Sequence, residues 1–302
     1  MKIISLLPSA TEILFALGLG DEVTAVTHEC DYPAAAREKP NITRSLLAPG
    51  MSSGAIDEAV RGQLAADAHS LYTIDRELLA QIAPDLIVTQ QLCEVCAVAY
   101  DDVLDAVRAL PRRPEILNLE PMGLDDVLSD ISRVGAATGR EEAARALVAE
   151  LEARIARVRE AVARAESRPR VAFLEWLDPL FCGGHWNPEL VRLAGGDDPL
   201  GREHQPAVAI SWEQVRDLQP EVMVISCCGF DEARTRQDVP LLEALPGWDT
   251  LPCVRSGRIH VVDGAAYFSR PGPRLVDSLE ILARFVHPEL FTADVAHAEG
   301  IA

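Results

Sequence analysis

The chain has 302 residues, 48% hydrophobic and 25% charged, which is enough for two domains of ordinary size. Its formal net charge of −19 argues against a nucleic-acid partner, because binding phosphates requires clustered Lys and Arg. No uninterrupted run of about 18 apolar residues occurs, so no membrane span is expected.

Residues 2–7 read as a buried strand. Ser9-Ala-Thr-Glu12 fits a capping box that opens a helix, and Gly18 ends it. Residues 23–27 form a second strand. Residues 75–83 are helical up to the breaker Pro84-Asp85, and residues 86–89 and 116–119 are strands. Strands alternating with helices predict an α/β fold with a parallel, doubly wound sheet.

Thr138-Gly-Arg-Glu141 is a second capping-box pattern, opening one long helix that stops before Pro169. Leu147, Leu151, Ile155, Val158 and Val162 make its apolar stripe. Glu141/Arg145, Glu150/Arg154 and Glu160/Arg164 are spaced for pairs on its wet face. At 1.5 Å per residue it is roughly 40 Å long, enough for a rigid connector spanning two lobes. The pattern then restarts: strands at 170–176, 222–226 and 259–262, and helices at 188–193 and 275–285. The stretch from Asp75 through Pro84 to Val88 is echoed from Ser211 through Pro220 to Val224, with the prolines in register. That echo supports two similar lobes, 1–137 and 169–302, with 138–168 between them.

Seven cysteines, an odd number, suit a reducing compartment. Pro8, Ser9, Thr11 and Glu12 interrupt the first apolar stretch, so it reads as strand, turn and helix rather than a secretion signal. Both features predict a cytoplasmic chain, or an extracytoplasmic one if the true start lies upstream.

Residues 182–196 run Cys-Gly-Gly-His-Trp-Asn-Pro-Glu-Leu-Val-Arg-Leu-Ala-Gly-Gly. Glycines let a backbone approach a ligand, and in α/β proteins ligands sit at strand carboxyl ends. His185 and Trp186 are therefore candidate ligand contacts, with His185 able to reach a metal centre. A helix-entry loop with a packed tryptophan is the alternative. Trp176 and Glu175 end a strand, where an aromatic wall for a flat macrocycle or a core tryptophan are both consistent. Tyr267, Phe268 and Arg270 precede Pro271-Gly-Pro-Arg274, and Arg270 either binds a ligand amide or phosphate or satisfies loop carbonyls. In the first lobe, Pro8, Ser9, His28, Glu29 and Gln90 follow strands and are the ligand-binding candidates there.

Cys93-Glu-Val-Cys96 has redox-pair or half-zinc-site spacing, and His28 and Cys30 follow a strand of the same lobe. Together they would suit zinc or another transition metal. Buried, inert cysteines are the alternative, and the favoured one for Cys227-Cys228. Glu12 and Glu120 are either lobe-edge carboxylates or ordinary solvated and capping acids.

Leu7-Pro-Ser-Ala-Thr-Glu12-Ile-Leu-Phe-Ala-Leu-Gly18, Pro84-Asp-Leu-Ile-Val, Gly184-His-Trp-Asn-Pro-Glu, Ala194-Gly-Gly and Arg270-Pro-Gly-Pro-Arg274 resemble substrate-binding proteins of the cobalamin and iron-siderophore importers. The resemblance covers residues 2 to about 288. His28-Glu-Cys-Asp31, Cys93-Glu-Val-Cys96, Glu175-Trp176 and Gly184-His-Trp186 resemble a narrower, cobalamin-binding-labelled subgroup. It implies the type III periplasmic-binding-protein fold: two doubly wound Rossmann-like lobes joined by one long rigid helix, with a ligand between them. It also implies surface carboxylates that dock on an ABC permease, with Glu12 in the matching helix. No GxGxxG after a strand, P-loop, GxSxG or HExxH pattern occurs, which favours binding over catalysis. The leading expectation is a monomeric binder of a corrinoid or related metal-chelate. A cytosolic metal or thiol protein and a siderophore or haem binder are the alternatives.

Overall fold

A computed structural model describes residues 1–48, 50–65, 71–91 and 100–291. The chain divides into two compact units: Met1–Pro121 with Asp125–Ala149, and Met122–Leu124 with Glu150–Ala302.

The first unit contains β1 (Ile3–Ser5), α1 (Pro8–Ala16), β2 (Val23–Ala25), β3 (Thr43–Ser45), α2 (Ser53–Ala65), β4 (Tyr72–Ile74), α3 (Arg76–Ile82), β5 (Leu86–Thr89), α4 (Tyr100–Arg108) and β6 (Glu115–Asn118). Most of α5 (Leu124–Thr138) and the start of α6 (Glu141–Val162) also belong to it. Its sheet has the order β2-β1-β5-β6, and every pairing is parallel. Ile4, Ala25 and Ile87 from the strands and Leu6 just after β1 pack with Leu79, Val103 and Val107 from the helices. Fully burying each such side chain contributes roughly 1.5–3 kcal/mol.

The second unit contains β7 (Val171–Leu177), β8 (Leu180–Cys182), β9 (Gly184–His185), α7 (Asn187–Leu193), β10 (Arg202–Glu203), α8 (Trp212–Leu218), β11 (Val222–Ile225), α9 (Glu232–Glu243), α10 (Pro252–Arg255), β12 (Ile259–Val261) and α11 (Leu275–Val286). Its sheet has the order β12-β11-β7-β8. Three strands are parallel, but β8 turns straight back against β7 and pairs antiparallel. Leu174, Met223, Ile225, Trp212 and Trp248 centre its core.

The predicted echo is a physical repeat. Asp75 caps α3 by accepting from the Leu78 amide at 2.9 Å, and Ser211 caps α8 in a reciprocal capping box with Gln214. Both helices end in a non-glycine left-handed residue, Ala83 (φ 46°) and Gln219 (φ 52°), followed by a proline that cannot continue the helix. The next strand then docks identically. The amides of Asp85 and Leu86 donate to the Lys2 carbonyl, and those of Glu221 and Val222 to the Arg170 carbonyl.

Three sequence expectations need correction. Ser9 is not a helix cap: α1 starts at Pro8, whose fixed φ suits the first turn, after an extended Leu7 with no side-chain cap. Thr138 does not open the long helix. It ends α5, its hydroxyl donating to the Val134 carbonyl at 2.7 Å, and Gly139 (φ 68°) makes the left-handed turn into α6. The long helix is accordingly 22 residues, about 33 Å. At Gly135 a Cβ would fall 2.5 Å from Ala144 Cβ, so the missing side chain lets α5 and α6 meet closely. The expected Glu150/Arg154 pair is replaced by a longer-range one. Arg154 pairs with Glu280 (3.0 and 2.8 Å) and Asp277 on α11.

Candidate functional site

The carboxyl edge of each sheet carries the strand-end residues, as the sequence predicts for an α/β ligand site. In the first unit, Pro8 and Ser9 begin α1 immediately after β1, and Ser9 is buried. The loop after β2 is built around buried hydroxyls. Thr11 Oγ1 donates to Ser5 Oγ at 2.8 Å, and Cys30 Sγ lies 3.1 Å from Thr11 Oγ1 and 3.2 Å from Thr27 Oγ1. Cys30 is thus held in this hydroxyl cluster. His28, two residues before it, has its Nδ1 2.8 Å from Thr43 Oγ1 on β3, and its ring rests 5.4 Å from Tyr72 on β4. Its Nε2 lies 3.3 Å from Glu29 Oε1 without hydrogen-bond geometry. Gln90 follows β5 and is buried.

Of the expected His28, Cys30, Cys93 and Cys96 metal set, only His28 and Cys30 fall within the described residues. Cys93 and Cys96 lie outside them, and Cys30 is engaged with threonines. Among the described residues, one donor group of metal-ligand size occurs, formed by Glu189, Glu203 and His204. Arg192 Nη2 already pairs with Glu203 at 2.6 Å, with Glu189 3.7 Å away, so a fixed cation balances that group.

In the second unit, Trp176 near the end of β7 and Phe230 beyond β11 pack with ring centroids 4.9 Å apart, both half-buried. This aromatic pair caps the core below it. The Arg234 guanidinium lies 4.2 Å from the Phe230 ring centre and 3.0 Å from buried Asp238. Tyr267, on the single turn Gly264–Phe268 after β12, is half-buried with the Arg274 guanidinium 5.4 Å from its ring. Gly264 is dictated by space, since a Cβ there would stand 2.3 Å from the Cys227 carbonyl oxygen. The aromatic faces and guanidinium groups of this edge can hold a flat, partly polar molecule by area burial and stacking.

The glycine-rich loop differs most from its sequence reading. It follows the returning strand β8, not β7, and Gly184 and His185 pair with Arg202 and Glu203 as a short parallel ladder. The Glu175 carboxylate accepts from the Gly184 amide (2.8 Å) and the Asn187 side chain (2.7 Å), so it fastens this loop to β7. Trp186 is 6% exposed and its indole N–H donates to the Phe268 carbonyl at 2.8 Å, while Phe268 itself is 1% exposed against Phe173. Both are core groups of the unit. His185 is half-buried at φ 51°, and burial lowers its pKa, favouring the neutral imidazole. Arg270 is buried. Glu12, expected as a docking carboxylate, is 3% exposed and offers nothing to a partner surface. Glu120 is exposed and accepts from Asn118.

Phe230 and Arg234 were not anticipated. Gly229 (φ 73°), followed at once by an aromatic just past a strand, is the signal that could have found Phe230. Three buried thiols of the second unit are held in their protonated form. Burial pushes Cys227 up to about 12 and Cys253 up to about 11, and raises Cys182 as well.

Comparison with known proteins agrees with the fold. The chain is 27% identical over 228 residues to a vitamin B12-binding protein of Yersinia pestis, covering 74% of this chain and 69% of that one. The periplasmic vitamin B12-binding protein of Vibrio cholerae superposes with a TM-score of 0.68 at 23% identity, over 95% of this chain and 96% of that one. The apo periplasmic haem-binding protein of Roseiflexus sp. RS-1 gives a TM-score of 0.70 at 24% identity, over 96% and 99%. The fold is thus the type III periplasmic-binding-protein fold. These periplasmic relatives overturn the cytoplasmic expectation and point to an extracytoplasmic location. The odd cysteine count misled because buried, protonated thiols persist in either compartment. A family model for periplasmic binding proteins matches residues 3–266, and the chain belongs to that family.

Proposed function

We propose that this protein is the substrate-binding component of an ABC-type importer and that its ligand is a corrinoid or a related metal-chelate. The family match over residues 3–266 carries this reading. The half-buried Trp176 and Phe230 support it by offering adjacent aromatic faces to a macrocycle. Tyr267 lies on the same edge, and Arg234 and Arg274 supply donors for peripheral amides or carboxylates. In the first unit His28, Glu29 and Gln90 are the candidate contacts.

Haem or an iron–siderophore is the second reading. It is favoured by the haem-binding relative and by His28, whose Nδ1 is fixed by Thr43. A hydrogen bond at one ring nitrogen orients the other for a metal centre.

Titration of the purified chain with hydroxocobalamin, cyanocobalamin and haemin, followed by absorption and calorimetry, separates the two. Saturable one-to-one binding of a cobalamin, weakened about tenfold in Trp176→Ala, is expected for the first reading. Saturation by haemin alone, with a spectral change lost in His28→Ala, selects the second. Failure of every one of these chelates to bind at tens of micromolar ends the corrinoid and haem readings.

A further inference from the structure

A cavity of about 450 Å³ opens at the other edge of the second unit, beside the last turns of α6 and α7 and the segment that leads into the amino end of β7. Arg159, Ser167, Arg168 and Arg192 line it over a floor that includes Val162 and Leu193, and no Asp or Glu lines it. In a chain with 47 acidic and 28 basic residues, three guanidinium groups without a lining carboxylate form an unusual surface.

Arginines in the last turn of a helix also stabilise its carbonyl end, so each was weighed against that simpler role. Arg192 is accounted for locally, since its Nε and Nη2 hold Glu203 at 2.8 and 2.6 Å. Arg168 is accounted for only in part: Nη2 donates to the Arg192 carbonyl at 3.1 Å, leaving most of its five donors unused. Arg159 is exposed, and among the described residues its guanidinium makes no hydrogen bond or ion pair. Its helix neighbours three and four residues away are Ile155, Ala156, Val162 and Ala163, so no acid is placed to neutralise it. Gly195 keeps the floor close: a Cβ there would fall 2.7 Å from Val162 Cγ1 and 2.6 Å from His287 Nε2. The Arg168 contact with the Arg192 carbonyl fixes the loop that forms one wall. Two uncompensated guanidinium groups over an apolar floor are complementary to an anionic group attached to a small hydrophobic body.

We propose that this cavity binds a small molecule bearing a phosphate or carboxylate beside an apolar portion, with Arg159 and Arg168 as the anion contacts. The site is separate from the carboxyl-edge aromatics of the same unit, so the chain carries two ligands at opposite ends of one sheet. The test is calorimetric titration of the full chain with phenyl phosphate, benzoate and inorganic phosphate at fixed ionic strength. Phenyl phosphate should bind in the low millimolar range and more tightly than inorganic phosphate, because the floor is apolar. The double variant Arg159→Gln/Arg168→Gln should bind at least about tenfold more weakly, while remaining folded and keeping its response to hydroxocobalamin or haemin unchanged. Equal binding by the double variant, equal affinity for phenyl phosphate and inorganic phosphate, or no saturable binding of any probe would overturn the proposal. Benzoate distinguishes a carboxylate source from a phosphate one. Vesicles containing anionic lipid serve as the remaining arm, and binding to them but not to the free anions would also overturn it.

Discussion

The two units solve one folding problem with the same local device and then diverge at their sheet edges. Helix α3 with β5 and helix α8 with β11 share a polar cap, a left-handed last residue, a proline and a strand bonded to one preceding carbonyl. Beyond that core, β2 of the first unit joins its sheet in parallel, whereas β8 of the second folds straight back as a hairpin. The hairpin exposes Trp176 beside Phe230 and draws the glycine-rich loop into the unit, where Trp186 is buried. The repeat therefore specifies the scaffold, and the irregular edge strand is where the second unit acquires a surface of its own.

The comparison can be broken most forcefully at its core. Ile87 and Met223 occupy the same step after their prolines and are 1% and 0% exposed. Ile87→Ala and Met223→Ala should each lower stability by about 3 kcal/mol in denaturant melts. A near-zero cost at either position would mean the strands are not equivalent.

A smaller effect separates the units by pH. Strand β12 carries His260 where β6 carries Leu117: they pair with Val224 and Val88, which match in the repeat. His260 stacks on Phe285 at 3.9 Å, and its Nε2 has no partner among the described residues. Burial, with the charge of Arg258, pushes its pKa down to about 4. The unfolded imidazole then binds a proton more readily than the folded one, so its contribution to stability is complete above the ordinary value near 6.5. It is lost progressively as pH falls toward 4. After allowance for partial exposure the loss is on the order of 2 kcal/mol. Chemical denaturation between neutrality and the lower limit, on the chain and on His260→Leu, checks this: the variant should be less sensitive to acid. An unchanged slope would remove His260 from the account.

The smallest effect lies at the left-handed ends. Ala83→Gly should raise stability by about 0.5 kcal/mol, because strain relief slightly exceeds the added freedom of the unfolded chain. Gln219→Gly should be close to neutral, since it also loses the Gln219 side-chain bond to the Arg216 carbonyl at 2.7 Å. Equal gains at both would show that this bond contributes nothing.

Every strand of the two four-stranded sheets except β8 was legible, because each is a short apolar run set off by proline, glycine or charge, as at Leu86–Thr89 and Val222–Ile225. Helix α9 was not, because its polar surface leaves only Thr235, Asp238 and Leu242 buried and Pro240 sits inside it. The boundary at Thr138 was misread because the same residue types that cap a helix start can bond back within the last turn of the preceding one. At the site, Trp176 and Tyr267 were visible as aromatics near strand ends. The locking of Trp186 and Glu175 into the loop was not, since it depends on the β8 reversal, and β7 and β8 read as one continuous apolar approach to the glycines. Phe230, with Arg234 over its ring, becomes a neighbour of Trp176 only when β11 pairs with β7, a contact across about fifty residues of chain.

Hydrogen exchange of the chain with and without saturating hydroxocobalamin or haemin tests the central claim most directly. Slowed exchange at the carboxyl edge of the second unit, around Glu175–Asp178, Gly229–Asp231 and Ala265–Tyr267, with the segment around Arg168 unchanged, is the predicted result. Binding that leaves the carboxyl-edge amides unprotected, or that protects only residues near Arg168, would contradict it.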